Sequence, residues 1–534
     1  MTEKEQTRIF LLIGFFFVSF SLYSAWNADK EILAEKIEQN LLVPKVQVSN
    51  NSVKKNYITI NTDKFSNLKI NLAGGDIEHA SLRTYKQDYN SEKPYVLLED
   101  GSEKKYILQT DVLSRDGKRF TYKASNPEFL LSDGQDFLKV NLYAEDGDLK
   151  IQKTYVFSRG KHTIDIDYFV TNKSEKDFNG KVFGQIKQYG VKEDLNESFA
   201  GVSMYKGGAM YTESKPYMKV PYETFKSPGI NKEVQGGWIA MVDKYFITAW
   251  VPEKNELQKN IARSSETGSE KDVYWLTSFQ KIEIPAGKSK KVSAKAYIGP
   301  EIMENLRALS NGLEYTIDYG FLWPVASLIF WLMKKFYSFF GNWGWAVVAV
   351  TFTLKIAFYG LSAKSYRSMA KTKQLKPKLD AIEAKYANDK QKKGQEIIEL
   401  YRKEKVNPLS GCLTMIVQIP VFIAFYYVLS ESVELRHAPF IFWVQDLSAK
   451  DPFYVLPIAT GLFMFIQQKL SPPPADPMQA KMFSLMPIIF TFIFINVPSG
   501  LTLYWALNSL LSIMQQWLIM RSVDKSSSVA AGKR

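Results

Sequence analysis

Apolar and polar residues follow two different periods along this chain. Between about Tyr57 and Ile298 they alternate: "LKINL" (68–72), "LKVNLYA" (138–144), "TIDIDYFV" (163–170) and "VSAKAYI" (292–298) place apolar side chains at every second position, as half-buried strands do. Turn signals such as "AGG", "EDG", "RDG", "SDG" and "PAG" separate these runs and predict antiparallel sheets packed as a β-sandwich. About 240 residues suffice for one large sandwich, and its expected bounds are 57–316.

After residue 320 the alternation gives way to apolar runs at 345–361, 411–430, 453–468, 482–497 and 501–519, near the length of bilayer-crossing helices. A further uncharged run, Ile9 to Trp26, precedes the strands. A cleaved signal peptide is one reading of it, with Lys4 and Arg8 as the basic flank. The run is long, no A-x-A site follows, and Tyr23 and Trp26 suit an interfacial belt, so a transmembrane anchor (1–27) is the preferred reading. A polar tether (28–56) follows it. The segment "FLWPVASLIFWLMKKFYSFF" (321–340), within 317–341, contains Pro324, Lys334, Lys335 and many aromatics, which suits a helix lying in the interface. Only "GNWG" separates it from the next run, and counting both as spans would invert everything downstream.

Charge then orients the six spans. The connection 362–407 carries 13 Lys and Arg against 6 Asp and Glu, whereas the loop 431–452 is net acidic. By the positive-inside rule the first faces the cytoplasm. Both termini, including the basic tail 521–534, then fall inside, and the β domain lies in the periplasm of a Gram-negative cell. Within the connection, Leu375, Leu379, Ile382 and Tyr386 recur at helical spacing, "NDKQKKG" interrupts, and "QEIIELYRKEK" resumes, which predicts a helical hairpin. Its basic charge reads first as a solvated face and second as a docking surface for anionic lipid or ribosomal RNA.

Composition narrows the chemistry. Most of the formal net charge of +13 lies in these cytoplasmic segments, and DNA is not an expected partner. One cysteine, Cys412, rules out an intrachain disulfide or a Cys-based zinc cluster, and three scattered histidines (His79, His162, His437) make a His-rich metal site a poor expectation. No nucleotide-binding or hydrolase motif occurs, so no cofactor and no enzymatic activity are expected. His162 with Asp165 and Asp167 is the sole catalytic candidate in the β region, and the two aspartates share the face of an alternating strand that meets water.

Lys355, inside "TFTLKIAFYG" (351–360), is the unusual residue. It lies about 9 Å from the cytoplasmic end of its span, and Gln418 lies about 10 Å deep in the next. Thr351 and Lys355 share one helix face, Thr414 and Gln418 another, and Asn508, Ser512 and Gln515 form a third stripe. A lysine near the centre of a span costs about 2.5 to 3.5 kcal/mol. Snorkelling toward the headgroups would relieve that cost. Three polar faces at one level instead point to a shared hydrated cavity.

The motifs "EKVNPLSGC", "IVQIPVFIAFYYVL", "SVELR", "DLSAKDP", "QQKLSP", "DPMQ" and "VPSGLTLYW" make the chain similar to the YidC-type membrane protein insertases of Gram-negative bacteria, over nearly its whole length. The resemblance implies an inner-membrane, multi-pass protein with an N-terminal anchor, a large periplasmic β-sandwich, and a five-helix membrane core (342–520). It implies a groove in the inner leaflet, open to cytoplasm and lipid, that receives an acidic stretch of a nascent membrane protein. Lys355 stands where an arginine is usual, and Trp505 where tyrosine is commoner. Gln418 and Thr351 match the groove lining, and Ile419, Pro420, Phe422, Tyr504 and Trp505 match positions that touch substrate. Partners implied are the lipid bilayer, the Sec translocon and the ribosome. A transporter built around the intramembrane lysine is the alternative, and a membrane-anchored carbohydrate enzyme a third.

Overall fold

The computed structural model describes residues 56–114, 117–189, 205–226, 229–265, 273–386, 389–404, 406, 410–471 and 477–531. The expected anchor (1–27) and all of the tether except Asn56 lie outside them. The described residues divide into two compact units, one mainly of strands, up to Asp318 with Glu431–Val433, and one mainly of helices, Tyr319–Ser430 and the residues from Glu434 on.

The first unit is a sandwich whose described residues form a ten-stranded and a nine-stranded sheet. Every described pairing is antiparallel except Tyr57–Asn61 with Glu128–Leu130. The four alternating runs fall in the strands Phe65–Asn71, Phe137–Asp146, Thr163–Asn172 and Ser289–Pro300. Their inward residues, among them Leu68, Ile70, Val140, Leu142, Ile164 and Ile166, join one apolar core drawn from both sheets. On the outer face Asp167 accepts from Ser293 Oγ at 2.6 Å and pairs with Lys291 at 3.1 Å, while Asp165 lies 3.8 Å from Lys295. His162 is buried beside Phe65, Tyr85 and Tyr297 instead. The three residues therefore form no cluster.

A lysine sits in the middle of this core. In the strand Leu149–Ser158, Leu149, Ile151, Lys153, Tyr155 and Phe157 all point inward. Lys153 is 0% exposed, and its ammonium reaches across to the other sheet. There it donates to the carbonyls of Gly74 (3.1 Å), Gly75 (3.0 Å) and Thr110. The rings of Tyr122, Tyr155 and Tyr168 surround it at 5.2 to 5.6 Å. Beside it Arg119 makes two bonds to Asp76, at 2.9 and 2.5 Å, and Tyr122 donates to Asp111 at 2.6 Å. A buried charge is tolerated only when so fully engaged.

The second unit is helical. A short helix that ends the strand region, α1 (Met303–Leu309), precedes it. Next comes α2 (Trp323–Phe340), which starts with Pro324 in its first turn and stops at Gly341, whose left-handed backbone (φ 65°) no side chain favours. It buries Ala326, Ile329, Phe330 and Met333 and exposes Leu328, Trp331, Phe339 and Phe340. An apolar outer face suits a helix in contact with acyl chains.

Then follow α3 (Trp343–Ala357), α4 (Tyr359–Gln374), α5 (Lys376–Lys385), α6 (Lys390–Lys403), α7 (Ser410–Glu431), α8 (Val455–Leu470), α9 (Pro477–Ile495) and α10 (Ser499–Ala531). The helix α10 packs against α8, α3 and α4, and α8 packs against α9. Gly461 permits the last approach: a Cβ there would stand 1.9 Å from Thr491 Oγ1.

Two element boundaries differ from expectation. The run 345–361 is no single helix, because α3 and α4 bend by 64° at Phe358. Gly360, the one glycine of 351–360, weakens the helix there. The last helix continues twelve residues past the expected end at 519, since no Gly or Pro occurs between Gly500 and Gly532. Among the described residues no single helix meets the length and hydropathy of a lone membrane span; the bent pair α3 and α4 does so together. The hairpin is made by α5 and α6, joined by Lys378–Glu404 at 2.6 Å and by Lys393–Glu383. Exposed pairs of this kind contribute little stability.

Candidate functional site

The helix α3 opens with an N-cap, Asn342, whose side chain accepts from the Trp345 amide at 3.1 Å. That cap fixes the rotation of a helix whose inner face carries Trp343, Ala346, Val347, Val350 and then Thr351. One turn later the same face carries Lys355. The bend at Phe358 redirects the chain, so that Leu361 and Ser362 of α4 come back beside it.

These residues line a partly open cavity bounded by Thr351, Leu354, Lys355, Phe358, Leu361, Ser362, Val417, Gln418, Val421, Tyr504 and Asn508. Lys355 is the one charged residue among the lining. Its ammonium donates to Ser512 Oγ at 2.6 Å, and the Ser512 hydroxyl donates to the Asn508 carbonyl at 2.7 Å. Thr351 is buried and returns its hydroxyl to the Val347 carbonyl at 2.7 Å, so it offers lone pairs rather than a proton.

Of the expected lining residues, Lys355, Thr351, Gln418 and Asn508 meet at this cavity, and Ser512 stands behind the lysine. Thr414 lies in α7, but its side chain is outside the described residues. Gln515, the third member of the α10 stripe, turns its amide to the Tyr359 carbonyl at 3.4 Å and so braces the bend.

The residues expected to touch substrate divide. Tyr504 lines the cavity and stacks on Phe425 at 4.2 Å. Phe422 and Trp505 meet edge to face at 4.7 Å, in an aromatic group with Phe490 and Phe494. Ile419 and Pro420 are exposed and do not line the cavity. They point away from Gln418 because successive helical residues are rotated by about 100°.

Sequence reasoning missed Ser362. It continues the stripe begun at Thr351 and Lys355, seven residues beyond the lysine, and that spacing was the available signal. Among the described residues no group of three His, Cys, Asp or Glu side chains is placed to hold a metal ion. The arrangement offers one cation, several neutral hydrogen-bonding groups and an apolar aromatic flank. It can bind an anionic polar segment, and in its one hydroxyl–amine pair, Ser512 with Lys355, the hydroxyl proton goes to the Asn508 carbonyl.

A family model described as 60Kd inner membrane protein matches residues 335–526, and one described as YidC periplasmic domain matches residues 57–332. The membrane protein insertase YidC of Pseudomonas putida is 42% identical over 488 residues, covering 90% of this chain and 86% of its own. The chain belongs to the YidC family. Another relative, the membrane protein insertase YidC of Azotobacter vinelandii, is 41% identical over 483 residues, or 89% of this chain and 86% of its own. A crystal structure of an active YidC insertase with its first transmembrane domain resolved aligns with 87% of this chain and 92% of its own, at 18% identity and a TM-score of 0.40. As a YidC family member the chain is an inner-membrane insertase rather than an enzyme, and its antiparallel β-sandwich is the YidC periplasmic domain.

Proposed function

We propose that this insertase moves nascent membrane proteins into the bilayer through the cavity around Lys355. The single observation that carries the reading is the ammonium of Lys355 held at the wall of a hollow in which Thr351, Gln418, Asn508 and Ser362 stand among apolar side chains. A carboxylate in a substrate's hydrophilic tail costs about 2.5 to 3.5 kcal/mol at the centre of a helix crossing hydrocarbon. Water and an opposite charge partway across lower that cost. The apolar helix of the substrate leaves beside Phe422, Tyr504 and Trp505, with Ile419 and Pro420 on the exposed side of α7. Its burial in lipid drives release.

The topology belongs to the same proposal: six spans including the N-terminal anchor, both termini and the hairpin in the cytoplasm, and the cavity open to the cytoplasm and lipid. The basic hairpin and the extended α10 support a ribosome as upstream partner, and the Sec translocon is a neighbour in the membrane. The division into anchor, tether, sandwich, interfacial helix, core and tail is part of this reading.

The test is reconstitution in liposomes with a short single-span substrate carrying an acidic N-terminal tail, read by protease protection. Lys355→Arg retains insertion, and Lys355→Glu lowers it by about tenfold, since a like charge then faces the tail. Equal insertion by wild type and Lys355→Glu removes the lysine from the mechanism.

A further inference from the structure

Ser512 is 2% exposed, and its oxygen lies 2.6 Å from the Lys355 ammonium. Its own proton is committed to the Asn508 carbonyl one turn earlier, at 2.7 Å. That commitment fixes the direction of the hydroxyl: the remaining lone pairs face the lysine, so Ser512 acts toward it only as an acceptor. Helical serine bonded in this way to the carbonyl four residues back has little freedom to turn.

The acceptor is also neutral. A carboxylate at this position would hold the ammonium equally well but would cancel its charge at short range. A hydroxyl orients the cation and leaves it uncompensated. Among the described residues Lys355 has no ion pair, and no Asp or Glu lines the cavity. An ammonium has three donors. One goes to Ser512, and among the described residues the other two have no protein acceptor.

Lysine is a flexible stem carrying a compact charge, and an unrestrained lysine in a membrane helix extends toward the headgroups. The bond to Ser512 draws it sideways onto α10 instead. We infer that Ser512 is the positioning residue for the groove cation: a neutral anchor that fixes where an acidic side chain of the substrate docks and makes the site selective for carboxylate-bearing segments. This rests on the proposed function of the cavity and deepens it by naming what sets its preference for acidic over neutral polar tails.

The experiment uses the full chain in liposomes and two substrates that differ only in the tail, one with acidic residues and one with the matching amides. The quantity read is the ratio of acidic-tail to neutral-tail insertion, so that a loss of folded protein, which lowers both, cancels. Ser512→Asp pairs with the lysine and lowers the ratio about tenfold, as removal of the charge itself does. Ser512→Ala, which frees the ammonium, lowers it about threefold, and Ser512→Thr, which keeps a hydroxyl able to bond the same carbonyl, restores it. A ratio unchanged in Ser512→Asp overturns the inference, as does a Ser512→Thr ratio no better than that of Ser512→Ala. Lys355→Gln separates the two levels. If that variant keeps the wild-type ratio, the cavity reading itself fails; if it loses the ratio while Ser512→Asp keeps it, only the role of Ser512 falls.

Discussion

Lys153 and Lys355 both stand away from bulk water, and they are built in opposite ways. Lys153, between the sheets, spends its three donors on three backbone carbonyls and is ringed by tyrosines, with Asp76, Asp111 and Arg119 close by. Lys355 has one neutral hydroxyl and an open cavity. A buried charge that is fully engaged has nothing left to offer a ligand and holds two layers together; one that is engaged once retains most of its interaction energy for whatever enters. The same side chain is a fastening in one unit and a receptor in the other.

Removing each lysine breaks the comparison or sharpens it. Lys153→Met takes a donor from the carbonyls of Gly74, Gly75 and Thr110 and a neighbouring positive charge from Asp111, and the expected loss is about 3 to 5 kcal/mol of sandwich stability, the cost of breaking a buried polar cluster. Hydrogen exchange across strands 149–158 and 163–172 in the full-length protein reads it. Lys355→Gln changes the protection of α3 and α10 by less than about 1 kcal/mol, because it leaves one buried hydroxyl short of a donor. A small effect at Lys153 together with a large one at Lys355 would reverse the assignment.

The next effect in size is acid sensitivity, and it also belongs to the sandwich. Burial pushes His162 from 6.5 down to about 4, with Lys64 acting in the same direction and Asp63 against it. The unfolded chain then binds a proton that the folded chain refuses, so stability falls as pH drops from 6.5 toward 4, by up to about 3 kcal/mol. Burial likewise lowers Lys153 to about 7, so its contribution grows as pH rises from 7 to 10.5. Glu301 opposes both: burial raises it to about 8, and the stability tied to its proton is lost between pH 4.5 and 8. His162→Phe therefore flattens the acid limb of a stability–pH profile whatever it does to the plateau. An unchanged slope between pH 6.5 and 4 would show that His162 is not the group responsible.

How much of this was legible beforehand varies with the physics involved. Alternation marked the strands because one face of each sheet is apolar, and Lys355 stood out because a charge in an apolar run has few innocent explanations. The same alternation contained Lys153, at an inward position between Ile151 and Tyr155, and parity alone would have exposed it. The bend at Phe358 was hidden, since the apolar run continues through it and an isolated glycine is compatible with a straight helix. Gln418 could be separated from Ile419 and Pro420 by helical rotation, yet α7 is apolar around most of its circumference, so its sequence does not say which face looks inward. The bond from Lys355 to Ser512 joins residues 157 apart in the chain, and only the packing of α3 against α10 creates it.

The smallest effect tests the fastening from its other side. Gly75 has φ 69°, and a Cβ placed on it would lie 2.8 Å from the Lys153 ammonium nitrogen. Gly75→Ala therefore meets two penalties, a left-handed backbone unfavourable to alanine and a push on the lysine, for a combined loss of about 1 to 2 kcal/mol. The two separate in a double-mutant cycle. The backbone penalty is the same whether or not residue 153 is charged, whereas the push vanishes when Lys153→Met removes the ammonium. A coupling of about 0.5 kcal/mol or more between the two substitutions assigns part of the glycine requirement to the lysine. Strict additivity would mean that Gly75 is needed only for its turn, and that Lys153 reaches the opposite sheet without depending on the space a glycine leaves.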